Sequence, residues 1–342
     1  MNKAEKIFSL HLNSNKPDSF EKFSLSFIKN ISNLSSLEII VHIDKGDNLM
    51  KEKIIKINKR YNSVIKYIET SLIKNFNDAW KPINILLEKT SKSVKIIACL
   101  SDDITVETKN WDLYYLKYLK KYHKDEIFRI RCSKYKHETY KNHWECAYKP
   151  DFSFYSKKWV DIVGFWNPCI GPDTFQESVS YYLNKYGENY KRSEVDLNVV
   201  YKGEETLTGL SLSGRIKRAK LGYISFSKLV SYKIQKLSSI SAYNLAKEIN
   251  GADLNIIKIN FLKHSSINFF KKLMFFHYRG SKSWLTSNII FNVMFIIWCK
   301  VDIFDKSIEY IICYLEKKNL LNKLITNESQ YKKLIKAIKN DV

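Results

Sequence analysis

Residues 96–112 read IIACLSDDITVETKNWD and join an apolar run to two adjacent carboxylates, Asp102 and Asp103. The apolar residues predict a buried β-strand. A second apolar run, LEIIVHIDKGD at 37–47, also ends on acidic residues, Asp44 among them. The carboxyl ends of parallel strands meet at one edge of a sheet, where α/β proteins bind ligands. We therefore expect both acidic strand ends to lie on the same edge.

The segments around these two runs alternate between strand and helix patterns. Such alternation, with spacers of helical length, is typical of an α/β domain that has a mostly parallel sheet flanked by helices. The predicted strands are 6–12, 37–47, 96–100, 125–133 and 194–203. The predicted helices are 17–31, 49–67, 78–90, 111–122, 157–163 and one that begins at 172. Beyond residue 214 the pattern becomes helical and basic.

The composition indicates a folded and strongly basic chain. It has 342 residues, of which 45% are hydrophobic, so a sizeable core is expected. The formal net charge is +22, and residues 215–342 carry 23 Lys and Arg against 8 Asp and Glu. A surface of this kind attracts polyanions such as nucleic acid, anionic lipid or acidic glycan. A solvated lysine-rich surface without a partner is the alternative interpretation.

Several familiar motifs are absent from the sequence. There is neither GxGxxG nor GxxxxGK[ST], and the six cysteines form no CxxC pair and no zinc-type spacing. The cysteine pattern is typical of a reducing compartment. The N-terminal residues contain no apolar region of the signal-peptide kind, so we expect a cytoplasmic protein.

The paired carboxylates allow two interpretations on the residues alone. Asp side chains commonly accept backbone N–H bonds in turns and at helix starts, which is a structural role. Alternatively, carboxylate oxygens bind hard cations such as Mg²⁺ or Mn²⁺, which bridge to substrate phosphates. Such a cation neutralises the charge that builds up on a departing diphosphate.

Four segments follow one another along about residues 1–205. They are FSLHLNSNKPDSFEKFSLSF (8–27), LEIIVHIDKGD (37–47), NFNDAWKPINILLEKTSKSVKIIACLSDDI (75–104) and FSFYSKKWVDIVGFWNPCIGPDTFQESV (152–179). Taken in this order, they resemble a GT-A type glycosyltransferase of the family-two kind. The resemblance implies a Rossmann-like, mostly parallel sheet flanked by helices in a catalytic domain at 1–214, followed by a helical basic region at 215–342.

The resemblance implies roles for the residues of the donor site. Asp44 would contact the nucleobase of a nucleotide-diphosphate sugar, with Asn13 lining the same pocket. The triplet SDD at 101–103 stands where the family has its DXD-like motif. Asp103 would hold a Mn²⁺ or Mg²⁺ ion, and Asp102 the ribose or a metal-bound water. Asn84 would support this loop from the preceding helix.

On the acceptor side, the resemblance makes Asp173 the general base that deprotonates the acceptor hydroxyl. Glu177 lies one helical turn further along and is the second candidate for the base. Two positions depart from the family pattern. Ser101 replaces the first acidic residue of a full triplet, and Tyr201-Lys202 stands where a His near the metal is common. A catalytically silent descendant is therefore one alternative.

The resemblance implies a hexosyltransferase-type enzyme. It would transfer a sugar, with inversion, from a nucleotide-diphosphate sugar to a glycan or lipid-linked hydroxyl in the synthesis of a surface polysaccharide. A basic nucleic-acid-binding protein is the other alternative. Nucleic acid is the less expected partner, because no RRM, KH, helix-turn-helix or zinc-finger signature is present.

The C-terminal region suggests a contact with a membrane. The segment SSINFFKKLMFFHYRGSKSW at 265–284 mixes aromatic residues with cations, as a helix lying in the plane of an anionic membrane does. Residues 283–299 carry no charge and are at the short limit for crossing a bilayer. A buried core helix is the preferred interpretation of 283–299 and an interfacial helix the second. A peripheral contact through 215–300 with the inner face of the membrane would suit a lipid-linked acceptor.

Overall fold

The structure is a computed structural model that describes residues 5–73, 80–137, 153–166, 172–203, 228–251 and 254–259. Side chains are described in these ranges except at 80, 132–137, 172–174, 197 and 228–233. The predicted membrane-contacting segments at 265–284 and 283–299 lie outside the described residues.

Within these residues, eight strands form a single sheet. Their order across the sheet is β3-β2-β1-β4-β7-β6-β8-β5. Four neighbouring pairs are parallel and three are antiparallel, so the predicted α/β fold with a mostly parallel sheet is confirmed. The strands are β1 (Phe8–Asn13), β2 (Leu37–Asp44), β3 (Ile65–Thr70), β4 (Ile96–Cys99), β5 (Ile104–Val106), β6 (Arg129–His137), β7 (Ser153–Ser156) and β8 (Ser193–Gly203).

Helices flank this sheet and pack against it. None of the described helices is both long and apolar enough to cross a bilayer. The helices are α1 (Pro17–Asn30), α2 (Asn48–Arg60), α3 (Trp80–Leu86), α4 (Trp111–Lys121), α5 (Lys157–Val163), α6 (Pro172–Leu183) and α7 (Lys228–Asn250). Short 3₁₀ turns lie at Leu34–Ser36, Leu87–Lys89, Asn184–Tyr186 and Glu188–Tyr190.

The first strand and helix show how local sequence builds the fold. Pro17 occupies the first turn of α1, where its missing N–H costs nothing. Phe20, Phe23 and Phe27 follow at helical spacing, and all three are fully buried against the sheet. The strand β1 is itself buried between two parallel neighbours. This packing brings the loop between β1 and α1 to the carboxyl edge of the sheet.

The predicted helix at 49–67 is wrong in its second half. Helix α2 ends at Arg60, and β3 follows from Ile65 as an edge strand parallel to β2. Asn62 and Ser63 have φ angles of 53° and 56°, a left-handed conformation that a continuing helix does not allow. The chain therefore reverses here and returns as a strand.

Two short strands fall where the sequence indicated loops. β7 is antiparallel to both β4 and β6, and it joins the two halves of the sheet. β5 follows directly after Asp103 and pairs with β8. The strand predicted at 125–133 begins later, at Arg129, and runs to His137 beside β8. Short strands of three or four residues carry little periodicity, so their partners decide where they form.

Helix α7 shares a core with the sheet. Its residues Ile234, Leu237 and Leu245 are buried in one cluster with α5 and α6. Tyr182 of α6 donates a hydrogen bond to Oε1 of Gln235 at 2.7 Å. The helix lies beyond the predicted boundary at residue 214, yet it packs on the side of the sheet that carries α6. The division into regions 1–214 and 215–342 stays a prediction.

Candidate functional site

The carboxyl ends of β1, β2 and β4 lie side by side at one edge of the sheet. All three strands are parallel, and the register places Asn13 opposite His42 and His11 opposite Cys99. Asp44, as the last residue of β2, therefore lies at the same edge as the turn that follows β4. The expected placement of the two acidic strand ends on one edge is confirmed.

Ser14, directly after β1, ties this edge together. Its Oγ donates a hydrogen bond to Oδ2 of Asp102 at 2.6 Å, and its N–H donates to the carbonyl of His42 at 3.1 Å. One residue thus connects the first loop to the acidic turn and to β2. Sequence reasoning missed Ser14, although a buried small polar residue between a strand and a proline-initiated helix was a usable signal.

Asp102 and Asp103 form the turn between β4 and β5, and both side chains are half-buried. Burial raises the pKa of Asp102, and the charge of Asp103 raises it further. The hydrogen bond from Ser14 and the charge of Lys16 act in the opposite direction. Two carboxylates kept together in a partly dehydrated turn are stabilised by a cation. The two carboxylates are thus the type of ligand that a hard metal ion prefers.

The strand β8 closes the site on the far side of the acidic turn. Ile104 lies opposite Gly203, and Thr105 lies opposite Lys202. Lys202 is thus placed on the strand next to the one that begins after Asp103. Tyr201 is fully buried and its hydroxyl hydrogen-bonds that of Tyr115 at 2.6 Å, which is a core contact. Of Tyr201 and Lys202, Lys202 is therefore the residue that brings a charge to this side of the turn.

Asp44 offers a hydrogen-bond acceptor at the end of β2. Among the described residues, its Oδ1 is buried and has no hydrogen-bond partner. Nearby, Nε2 of His42 lies 2.8 Å from Oγ1 of Thr70. Burial lowers the pKa of His42, although the charge of Asp44 acts in the opposite direction. A buried carboxylate oxygen without a donor is suited to an N–H or O–H group of a ligand.

Asn84 contacts a different segment from the one that the resemblance implied. Its Oδ1 accepts the backbone N–H of Trp166 at 2.8 Å, and the side chain is buried. Trp166 follows α5 and precedes the connection to α6. The described hydrogen bond of Asn84 thus holds the acceptor-side segment. A role for Asn84 in supporting the acidic turn stays a prediction.

Glu177 lies in a buried ion pair. Its Oε1 contacts Nη2 of Arg129, whose guanidinium also donates to Ser180 at 3.1 Å and to Ser153 at 3.0 Å. Burial by itself lowers the pKa of Arg129, but the charges of Glu177 and Tyr155 and the hydrogen bonds to both together outweigh burial, so the pKa is raised. This pair connects α6 to β6 of the sheet. The role of Glu177 as the second candidate base stays a prediction. Asp173 lies in the first turn of α6 with its side chain outside the described set, so its role as the base stays a prediction.

The residues at this edge suit a divalent cation. Mg²⁺ is usually held by one or two carboxylates together with substrate phosphates and water. Asp102 and Asp103 provide two such carboxylates on adjacent residues. In the part of the chain that the structure describes, no group of three or more His, Cys, Asp or Glu side chains is placed to hold a metal.

Replacing Asp102 by Asn is expected to stabilise the protein at neutral pH. The pKa of Asp102 is raised in the folded protein above its ordinary value of 3.8. The protonated carboxyl therefore stabilises the fold below pH 3.8, and this stabilisation is lost as the pH rises through the pKa of the folded protein. The ionised carboxylate therefore costs stability at pH 7, and Asn removes that cost. We expect the midpoint of thermal unfolding to rise by about 1–3 °C.

This gain should disappear when unfolding is measured near pH 3, where the wild-type carboxyl is protonated as well. The matched control is Asp161→Asn, which removes an exposed carboxylate paired with Lys157 on α5. A midpoint for Asp102→Asn that is unchanged or lower at pH 7 would contradict the prediction.

Comparison with solved structures shows likeness in fold at low sequence identity. TarS from S. aureus, in complex with UDP-GlcNAc, is 13% identical, with 85% of this chain and 78% of that chain covered and a TM-score of 0.48. Mannosyltransferase PcManGT from Pyrobaculum calidifontis, in complex with GDP-Man and Mn²⁺, is 11% identical, with 89% and 90% covered and a TM-score of 0.49. A 4-diphosphocytidyl-2C-methyl-D-erythritol synthase from Anaerococcus prevotii is 11% identical, with 58% and 88% covered and a TM-score of 0.33.

No family model matches the chain, and no curated protein matches it. At 11–13% identity and TM-scores of 0.49 or lower, these likenesses assign neither a ligand nor an activity to this protein. What this chain binds has to be argued from its own residues.

Proposed function

We propose that this protein is a glycosyltransferase that moves a sugar from a nucleotide-diphosphate sugar to a hydroxyl group of a glycan or lipid-linked acceptor. One observation supports this above the others. Three parallel strands end at one edge and gather Asn13, Asp44 and the Asp102–Asp103 turn there, linked by the 2.6 Å hydrogen bond from Ser14 to Asp102. A ligand with a base, a ribose and a diphosphate fits an edge of this chemistry.

The donor nucleoside would lie at the ends of β1 and β2. The buried Oδ1 of Asp44 would accept a ring N–H, which both uracil and guanine present. Asn13 would line the same pocket from the end of β1. Asp102, already fixed by Ser14, would accept from a ribose hydroxyl or a metal-bound water. These contacts would determine which nucleotide binds, but they would not determine which sugar it carries.

The diphosphate would lie over the acidic turn, with Asp103 as the ligand of Mn²⁺ or Mg²⁺. When bound, the ion neutralises negative charge on the diphosphate that leaves. Lys16 acts electrostatically on Asp102, and Lys202 lies beside β5. Both cations would add to the positive field that the leaving group meets. The chain would thus supply acid residues for the metal and basic residues for the phosphates.

Transfer would proceed by a single displacement. The Asp173 carboxylate would take the proton of the acceptor hydroxyl, and the acceptor oxygen would form a bond to the anomeric carbon. The bond from that carbon to the diphosphate oxygen would break, and its electron pair would leave with the nucleoside diphosphate. Attack from the face opposite the leaving group inverts the configuration.

The acceptor and the place of the reaction are the least constrained part of the proposal. The basic region 215–342 would meet an anionic membrane surface or an acidic glycan, because its net charge is strongly positive. A lipid-linked acceptor at the inner face of the membrane would suit a role in surface polysaccharide synthesis. This part is tested by liposome flotation of the full chain with and without anionic lipid.

The activity is tested with a panel of nucleotide sugars, Mn²⁺ and candidate acceptors. We expect wild type to turn over at least one donor and Asp173→Asn to lower transfer by about 10²- to 10⁴-fold, since a general base is lost. Donor binding should stay within twofold of wild type. The control is Asp161→Asn, a carboxylate of α5 that forms an exposed ion pair.

An Asp173→Asn variant with the wild-type rate would remove Asp173 from the reaction. A wild type that binds none of the nucleotide sugars would refute the proposed function. Binding without turnover would indicate the catalytically silent alternative.

Nucleic-acid binding is the second candidate, favoured by the net charge of +22. It predicts an affinity for DNA or RNA that falls steeply with salt concentration. Nonspecific complexes are still measurable near 150 mM salt. Absence of binding at this concentration would therefore exclude a nucleic-acid-binding function.

A further inference from the structure

A buried polar cluster lies beneath the candidate site and centres on Trp166. All three polar groups of Trp166 are hydrogen-bonded. The backbone N–H donates to Asn84 at 2.8 Å, Nε1 donates to Nδ1 of His11 at 3.1 Å, and the carbonyl accepts from Gln176 at 3.1 Å. These partners belong to α3, β1 and α6, so one residue joins three elements of the fold.

Gln176 gives this cluster its connection to α6. Its amide Nε2 donates to the carbonyls of Phe165 and Trp166 at 3.2 and 3.1 Å, and its Oε1 accepts from Nε1 of Trp159 at 3.0 Å. The side chain is buried. Gln176 lies three residues after Asp173 in the same helix. The hydrogen bonds therefore hold the first turns of α6 against the end of α5.

His11 connects the cluster to the strand that carries Asn13. Because an indole N–H can only donate, Nδ1 of His11 must be the acceptor and Nε2 carries the proton. Nε2 lies 3.0 Å from Oγ of Ser9 and 3.1 Å from Oγ1 of Thr90. Burial lowers the pKa of His11 to about 3, so the ring is neutral at the pH at which enzymes usually work.

We infer that this cluster positions the predicted base Asp173 over the donor edge. The cluster, called the Trp166 cluster below, consists of His11, Asn84, Trp159, Trp166 and Gln176. This inference rests on the proposed function. His11 lies two residues before Asn13 on β1, and Gln176 lies three residues after Asp173 on α6. A hydrogen-bond path between His11 and Gln176 runs through Trp166. The cluster thus fixes the distance between the donor edge and the start of α6.

The directional nature of these bonds distinguishes the cluster from ordinary packing. Apolar contacts and the Arg129–Glu177 pair also hold α6 on the sheet. A buried network with every member satisfied selects one arrangement. A displacement of about 1 Å of a reacting group can cost on the order of 10² in rate. We assign these five residues a positioning role, because their effect on Asp173 would pass through α6.

Trp166→Phe is the direct test, because it keeps an aromatic ring and removes the N–H that reaches His11. The matched control is Trp111→Phe, which removes a buried indole N–H bonded to the carbonyl of Phe27 at 3.1 Å in the other core cluster. We expect Trp166→Phe to lower kcat for sugar transfer at least tenfold, with the donor Kd within twofold of wild type. Trp111→Phe should lose similar thermal stability and keep kcat.

Gln176→Met provides a second variant of similar length in case Trp166→Phe does not fold, and the same split between kcat and donor Kd is expected. The inference is overturned if the folded variants keep the kcat of Trp111→Phe, or if kcat and donor affinity fall together. A wild type without transfer activity refutes the proposed function and this inference with it. Wild-type activity with an unaffected Trp166→Phe refutes the inference alone.

Discussion

Replacing Asp103 by Asn is expected to lower the rate of sugar transfer by a factor on the order of 10³. The variant keeps the size of the side chain but removes the charge that would hold the divalent cation. A metal that stabilises a departing diphosphate contributes several kcal/mol, and each 1.36 kcal/mol corresponds to about tenfold in rate. Initial rates measured across a Mn²⁺ titration, together with Mn²⁺ binding by calorimetry in the presence of the nucleoside diphosphate, check the prediction.

The comparison with Asp102→Asn makes this experiment specific. Oδ2 of Asp102 already accepts the hydroxyl of Ser14 at 2.6 Å, so this carboxylate is partly occupied within the protein. We expect Asp102→Asn to lose less transfer activity than Asp103→Asn. Wild-type rates and an unchanged Mn²⁺ dependence in Asp103→Asn would refute the metal role of this residue.

Replacing Glu177 by Leu is expected to destabilise the protein by about 3–5 kcal/mol, because it leaves a buried cation without its partner. Arg129 is fully buried, and Glu177 is the carboxylate that neutralises it. The free energy of unfolding from urea titration, followed by circular dichroism, measures the effect. The double variant Arg129→Met/Glu177→Leu should be much closer to wild type, since both charges are removed together.

The exposed pair Lys157–Asp161 provides the control for this experiment. Its side chains are partly solvated, and breaking it should cost less than about 1 kcal/mol. A loss below that value for Glu177→Leu would show that the ion pair does not stabilise the fold. Two further variants test which residue is the base. Glu177→Gln should lose activity only in proportion to its loss of folded protein. Asp173→Asn should lose activity although it remains folded.

Much of the fold follows from local patterns that the sequence displays. The strands β1, β2 and β4 are apolar runs, and α1, α4, α5 and α6 show apolar residues at helical spacing. The acidic ends of β2 and β4 could be placed on one edge because parallel strands share their direction. Such features depend on residues that are neighbours in the chain, so the sequence alone was sufficient to predict them.

The contacts that shape the site could not be predicted in this way. Ser14 and Asp102 are 88 positions apart, and Trp166 and His11 are 155 apart. The short strands β5 and β7 and the end of α2 likewise depend on partners from distant parts of the chain. Such long-range pairs depend on the order of the strands across the sheet, which the local pattern of a single strand does not contain. The sequence therefore predicted which acids reach the edge, while the folded chain determined what holds them there and what holds α6 in place.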